Sequence, residues 1–208
     1  MGAQTVNTAI RVITLVAVTG AAGCVAAGRR DTITIPVQDD SARVAEARRL
    51  AQAAQNADEP DDAVALYRQA VAAYRELAPA WNNLGVLLMQ RERYLDAAEA
   101  FTTASEIAPT DPRPLYNLGL TWENAGYLRD ALRHYRRALE RDGRYQPALR
   151  GALRAERLMG IASDDSVRWV RTALGQEQDP EWRAWLELQR PQIEAQVYGA
   201  MGHTPGGP

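Results

Sequence analysis

Amides and guanidiniums recur at helical spacing through the middle of this 208-residue chain. Asn82, Asn83 and Asn117 each carry a side chain that donates and accepts at once, which suits the backbone of an extended peptide. Arg48, Arg49, Arg113, Arg150, Arg154 and Arg157 carry planar forks that hold a carboxylate by two parallel bonds. Gln52, Gln55, Asn56, Met89, Gln90, Tyr116, Glu123 and Asn124 fall between the apolar positions of the same segments. Such a set can bind a peptide segment or a helix of another protein; the alternative is that these are ordinary solvated helix positions. Arg150, Arg154 and Arg157 form a basic stripe at spacings of four and three. With Arg144 nearby, the stripe fits an acidic partner or an anionic membrane surface. Glu156 interrupts it, and charged stripes usually face only water.

No other constellation reads as catalytic. His134 and His203 lack a spaced set of Cys, His or carboxylate partners, so no metal is expected. His134 is expected to be exposed or marginal. The glycines form no phosphate-binding loop. Asp61-Asp62 and Asp164-Asp165 stand where helices begin, and the helix dipole accounts for them. The expectation is a chain that is not an enzyme, with no cofactor and no small-molecule substrate. A formal net charge of -2 gives no whole-chain argument for nucleic acid. All 24 basic residues are Arg, so every cation is a multidentate donor.

These residues need elements to hold them, and the sequence repeats. Trp81, Leu84, Gly85, Ala97, Phe101, Ala104 and Pro109 recur 34 residues later as Leu115, Leu118, Gly119, Ala131, Tyr135, Ala138 and Gly143. Ala63, Tyr67 and Ala70 precede Ala97, Phe101 and Ala104 by the same interval. A period of this size signals stacked helical hairpins. Trp81, Leu84 and Leu88 form one helical face. Gly85 lets the second helix of the pair come close, and Phe101 fills the hollow between Ala97 and Ala104. Pro60 stands at a helix mouth, where its missing N–H costs nothing. Asp165 occupies a fourth-unit position where a small Ala is expected. Ser163 is placed to cap the helix that follows. Trp182, Trp185, Leu186 and Leu188 are expected together on a last helix, which Pro191 kinks or divides.

The pattern resembles the tetratricopeptide repeat, which implies an all-α, right-handed superhelical stack of antiparallel helix pairs. The units expected are 44–77, 78–111, 112–145 and a degenerate 146–179, with a capping helix over 181–198. The resemblance implies that the first helix of each pair lines a concave groove, which places the amides and arginines above as partner-binding residues. Asn83 and Asn117 stand where peptide-binding members often carry asparagine, and Arg113 resembles their basic residue. The chain departs from members that clamp a C-terminal carboxylate: Arg48 can stand for a Lys, but Gln52 replaces an Asn and Asn117 an Arg.

The N-terminal region carries a different signature. Arg11 precedes an apolar run, Val12 to Gly23, that is too short to span a bilayer comfortably and fits a secretion signal. Ala21-Ala22-Gly23-Cys24 resembles a bacterial lipoprotein signal, in which the cysteine becomes the first residue and carries palmitate-type acyl chains. Residues 1–23 are then the signal peptide, 24–43 a tether and 199–208 a disordered tail. Val25 leans toward the outer membrane. A simple secreted signal cut near Ala22 or Ala27, an uncleaved anchor and a cytosolic chain remain alternatives. The function expected is a protein-binding scaffold or adaptor of the bacterial cell envelope facing the periplasm. A structural subunit of an envelope assembly and a soluble periplasmic chaperone-like adaptor are the other readings.

Overall fold

The computed structural model describes residues 40–200. By its contacts the chain divides between residues 42 and 43; the first described helix starts just ahead of that boundary, at Ser41. Cys24, the signal-like run, residues 24–39 of the expected tether and residues 201–208 lie outside the described residues; Ser41, Ala42 and Arg43, expected to end the tether, already belong to α1.

The described residues form an all-α solenoid of nine helices: α1 (Ser41–Gln55), α2 (Pro60–Ala73), α3 (Ala78–Gln90), α4 (Tyr94–Ile107), α5 (Arg113–Asn124), α6 (Leu128–Arg141), α7 (Gln146–Met159), α8 (Asp164–Gln176) and α9 (Pro180–Ala200). Helices α1, α3, α5 and α7 open the four pairs, and α2, α4, α6 and α8 close them. Successive opening helices touch one another, α3 with α5 and α5 with α7. Their side is therefore the inner, concave one. Pro60 opens α2 as its first residue. Ser163 caps α8 in a reciprocal capping box with Ser166.

The spacing within and between pairs is set by aromatic rings that lie on glycines. A Cβ on Gly85 would stand 2.7 Å from the Phe101 ring, and one on Gly119 would stand 2.6 Å from the Tyr135 ring. Tyr135 also lies on the next pair, where a Cβ on Gly151 would stand 2.8 Å from its ring. Gly151 occupies the register position of Asn83 and Asn117, so α7 exchanges an amide for room. Phe101 and Tyr135 are fully buried in consecutive core clusters. Arg141 links neighbouring units at the far end, donating to the carbonyl of Ser105 in the last turn of α4 and to those of Ala108 and Asp111 beyond it.

A second periodic feature lies in the backbone. Glu92, Gly126 and Gly160 follow α3, α5 and α7 at 34-residue intervals and all take positive φ, 59°, 85° and 67°. This is the left-handed residue that commonly ends a helix. Glycine takes it without cost, and Glu92 does not.

The fourth pair is regular once a one-residue slip is allowed. Ser166, Val170 and Ala173 are buried on α8, 35 residues after Ala131, Tyr135 and Ala138. Gly160 is still in register, so the extra residue lies between Gly160 and Ser166. Asp165, the apparent mismatch, stands one position off the small site, and Ser166 fills that site. Three other expectations change. His134 is buried, because α6 packs on both α5 and α7. Helix α9 runs through Pro191 and on through Gly199 to Ala200; Pro191 and Glu187 are exposed, so water can satisfy the carbonyl that the proline leaves unbonded. Leu186 is buried in the core while Leu188, two residues on, is 62% exposed on the opposite side of the helix.

Two tests follow from the packing and the turns. Gly119→Ala should lose about 1–3 kcal/mol of unfolding free energy, because Tyr135 must move. Gly175→Ala, within α8 and with open space around it, should gain up to about 1 kcal/mol. Glu92→Gly should gain about 1 kcal/mol by relieving the left-handed residue, and Gly126→Ala should lose a similar amount. Urea unfolding followed by circular dichroism measures all four; a Glu92→Gly variant less stable than the parent would contradict the backbone argument.

Candidate functional site

The concave face has two halves of different character. In the first half the asparagines form a ladder. Asn117 on α5 donates to Asn82 Oδ1 on α3 at 2.9 Å, Asn82 lies 3.5 Å from Asn83 Oδ1, and Asn83 donates to the Tyr67 hydroxyl on α2 at 3.1 Å. Phe101 has no hydroxyl, so Asn117 turns sideways to Asn82 where Asn83 reaches Tyr67. A cavity of about 380 Å³ lies beside this ladder, lined by Tyr67, Asn83, Val86, Leu87 and Gln90. On α1, Arg48 and Gln52 are exposed. Arg49 pairs with Glu46 at 2.7 Å, both largely solvated.

The second half is built from arginines held by two acids, Glu177 buried and Glu123 half-buried. Arg154 on α7 donates through Nε and Nη2 to Glu123 on α5, at 2.6 and 2.7 Å. Tyr135 donates to the same carboxylate at 2.5 Å. Arg150, one turn earlier, donates through Nε and Nη2 to Glu177, at 2.9 and 2.5 Å. Its guanidinium also lies 4.8 Å from the centre of the Trp182 ring. Burial raises the Glu177 pKa, but the bonds from Arg150, the Asp179 N–H and Gln146 outweigh it and bring the value down to about 2. Burial likewise opposes the fall at Glu123, and Arg154 and Tyr135 prevail. Both acids therefore stay charged and keep their arginines fixed. Tyr116, Gln146, Pro147, Arg150, Arg154 and Trp182 surround a cavity of about 290 Å³. Tyr116 itself packs on Tyr135 and Tyr145, each with ring centres 5.8 Å apart.

The arginine stripe is thus divided. Arg150 and Arg154 share one cavity, while Arg157 lines another of about 200 Å³ between α7 and α9. Arg113 sits at the mouth of α5, held by Asp111 at 2.7–3.0 Å. Glu156 does not break a surface stripe: it is buried, accepts from Arg136 at 3.1 Å and from Ser163 at 3.2 Å, and also accepts from Ser166. That acid ties α6, α7 and the start of α8 together. Among the described residues no group of three His, Cys, Asp or Glu could hold a metal ion. Nor is any helix there long and apolar enough to cross a membrane.

Residues 48–112 match the family described as tetratricopeptide repeat. These residues are thus similar to tetratricopeptide repeats. The BBSome complex member BBS4 of Xenopus tropicalis is 38% identical over 60 residues, 29% of this chain. The match spans about an eighth of that relative's length, 12%. Two solved structures share the fold over more of the chain. Pseudomonas aeruginosa pilF superposes with a TM-score of 0.59 at 18% identity, covering 74% of this chain and 68% of that one. The first repeat domain of Spaghetti (RPAP3), bound to an HSP90 peptide, gives 0.54 at 14% identity, covering 57% and 96%. The likeness in fold thus extends beyond residues 48–112.

His134 supplies a measurable consequence of this packing. Burial, with Arg133 and Arg137 nearby, lowers its pKa to about 4, against about 6.5 in an unfolded chain. A depressed pKa means that the unfolded chain takes up a proton first. The contribution is complete above pH 6.5, falls as pH drops, and is gone below about 4. Between those limits the parent should lose about 3 kcal/mol more unfolding free energy than His134→Gln. Urea titrations at pH 7 and pH 4 measure the difference; equal pH slopes in the two proteins would contradict it.

Proposed function

We propose that the chain is a non-enzymatic scaffold that holds a peptide segment or helix of another protein on its concave face. The observation that carries this is a pair of cavities beside the opening helices, one lined by Asn83, Val86 and Gln90 of α3 with Tyr67 of α2, the other by Tyr116, Arg150 and Arg154 with Trp182 of α9. Side chains that offer both hydrogen bonds and apolar contact are what an extended peptide needs. The peptide-bound Spaghetti domain, similar in fold, supports an adaptor of the chaperone-like kind. Trp182 lies in a cleft beside Arg150, not on an exposed apolar patch of the outer face, which weighs against a permanently built-in subunit. Arg48, Arg49, Gln52, Asn82, Arg113, Asn117 and Arg157 extend the surface, with Asn82 and Asn117 positioning Asn83. The place of work in this reading is the bacterial envelope, reached by a signal ending at Cys24, with the lipid on that cysteine as its anchor. That part rests on the sequence around Cys24 alone.

The test compares variants of the full chain captured from its own host. Val86→Glu alters the concave face, and Glu99→Arg alters an exposed position on the outer helix α4. Co-purification of a partner should fall at least tenfold for Val86→Glu and stay unchanged for Glu99→Arg, with circular dichroism showing both folded. The opposite pattern would assign binding to the outer face. Intact mass of the membrane fraction tests the anchor: an acylated chain starting at Cys24 supports it, and an unmodified chain leaves a soluble adaptor.

A further inference from the structure

The cavity beside the asparagine ladder exists because one residue is small. Ala54 on α1 holds the 34-residue register position of Leu88 on α3 and Trp122 on α5. The bulk it lacks leaves a hollow of about 380 Å³ between α1, α2 and α3. Ala54, Ala57, Ala63, Val86 and Leu87 give it apolar walls. The Asn83 amide and the Tyr67 hydroxyl, which also line it, are bonded to each other. Gln55 and Gln90, both exposed, stand at the rim.

The mouth of this cavity is acidic. Asp58 lines it, and Glu59, Asp61 and Asp62 follow along the turn into α2; all four are exposed. Asp61 pairs with Arg91, just past the end of α3. Asp58, Glu59 and Asp62 make no ion pair among the described residues, so four acids stand against one arginine. Arg93 and Arg49 are taken by Asp96 and Glu46, and Arg48 lies two turns, about 10 Å, before Gln55 along α1. The dipole of α2 favours acids at its start, but Glu59, at the N-cap, makes no capping bond with its side chain. Helices α1 and α3 both end at this mouth, at Gln55 and Gln90. Two negative helix ends therefore face it against the one positive end of α2.

We infer that this cavity receives an aliphatic side chain of the partner segment flanked by Lys or Arg, a deeper statement of the proposed function that rests on the concave face being peptide-binding. The aliphatic group leaves water for the walls of Val86, Leu87 and the three alanines. The flanking cations meet Asp58 and Glu59 at the rim, where neither side is buried. Exposed pairs of this kind add little affinity each; they select the partner and speed its arrival. An acidic segment would find the same apolar walls and be repelled at the mouth. The half around Arg150 and Arg154 has its arginines matched by acids, whereas this half has acids in excess.

The test uses the native full chain and three capped nonapeptides: repeating Ser-Arg-Leu, the same with Glu for Arg, and the same with Ser for Leu. Calorimetry gives the affinities. The Ser-Arg-Leu peptide should bind at least tenfold tighter than either other peptide. Its affinity should fall severalfold between about 0.1 M and about 1 M salt, as the Debye length shrinks from about 10 Å to about 3 Å. Asp58→Asn combined with Glu59→Gln, both at exposed positions, should lose at least fivefold. Ala54→Leu, which restores the bulk that Leu88 supplies one unit on, should lose at least tenfold; if it fails to fold, the Asp58 and Glu59 variant decides. No binding of the Ser-Arg-Leu peptide, equal binding of either other peptide, or an affinity indifferent to salt or to the loss of both acids would overturn the inference. If it is overturned while Val86→Glu still abolishes partner capture, the wider peptide-binding reading stands. If Val86→Glu leaves capture intact as well, both fall.

Discussion

The contact between an aromatic ring and a bare glycine backbone governs this structure. Phe101 on Gly85 fixes how closely α4 approaches α3, and Tyr135 on Gly119 does the same for α6 and α5. Close-packed interiors tolerate neither a gap nor an added methyl at such points. Tyr135 goes further, because it also lies on Gly151 of α7. One ring thereby sets the distances among three helices, two of which carry the cavity side chains. Its hydroxyl reaches Glu123, and Glu123 holds Arg154. The orientation of a guanidinium on the concave surface thus descends, in two contacts, from a ring in the core.

The ion pairs should be weighed for position, not for stability. Burying Glu177 and Glu123 removes them from water at a cost that their arginines roughly offset. Removing either arginine would leave a buried acid without its counter-charge, which is far more damaging than never having had the pair. The gain lies in order: a guanidinium gripped through two nitrogens has little rotamer freedom left, so its remaining N–H groups point in fixed directions. Glu156 shows the same device used only for architecture. It joins Arg136 on α6 to Ser163 and Ser166 at the start of α8, and nothing of it faces a cavity large enough for a peptide side chain except its edge near Arg157.

The repeat made most of the fold legible. Thirty-four-residue spacing of Gly85, Phe101 and their partners placed the helix pairs, and Pro60 and Ser163 marked helix starts that the backbone adopts. The fourth pair resisted because its register slips by one residue after Gly160, so Asp165 fell on a position that Ser166 in fact fills. His134 was misplaced for a related reason: a single amphipathic face describes a helix with one neighbouring helix, and α6 has two. The concave face was legible in its residue types but not in their connections. Nothing in the sequence joins Arg150 to Glu177 or Arg154 to Glu123, pairs separated by 27 and 31 residues. The acids look like ordinary surface charges until the superhelix folds them beneath their arginines. Asn82 and Asn117 likewise look like free amides, and they turn out to hold one another.

Those hidden pairings change what an arginine-rich groove can recognise. Counted from the sequence, the concave face of the last two pairs is basic and invites an acid. Counted with Glu177, Asp179 and Glu123, the acids beside Arg150 and Arg154, it carries no net positive charge. Long-range steering of an anionic partner is weak for such a surface, since opposed charges a few ångströms apart cancel within a Debye length. Discrimination must then come at contact distance, from which ligand atoms can accept and which must donate.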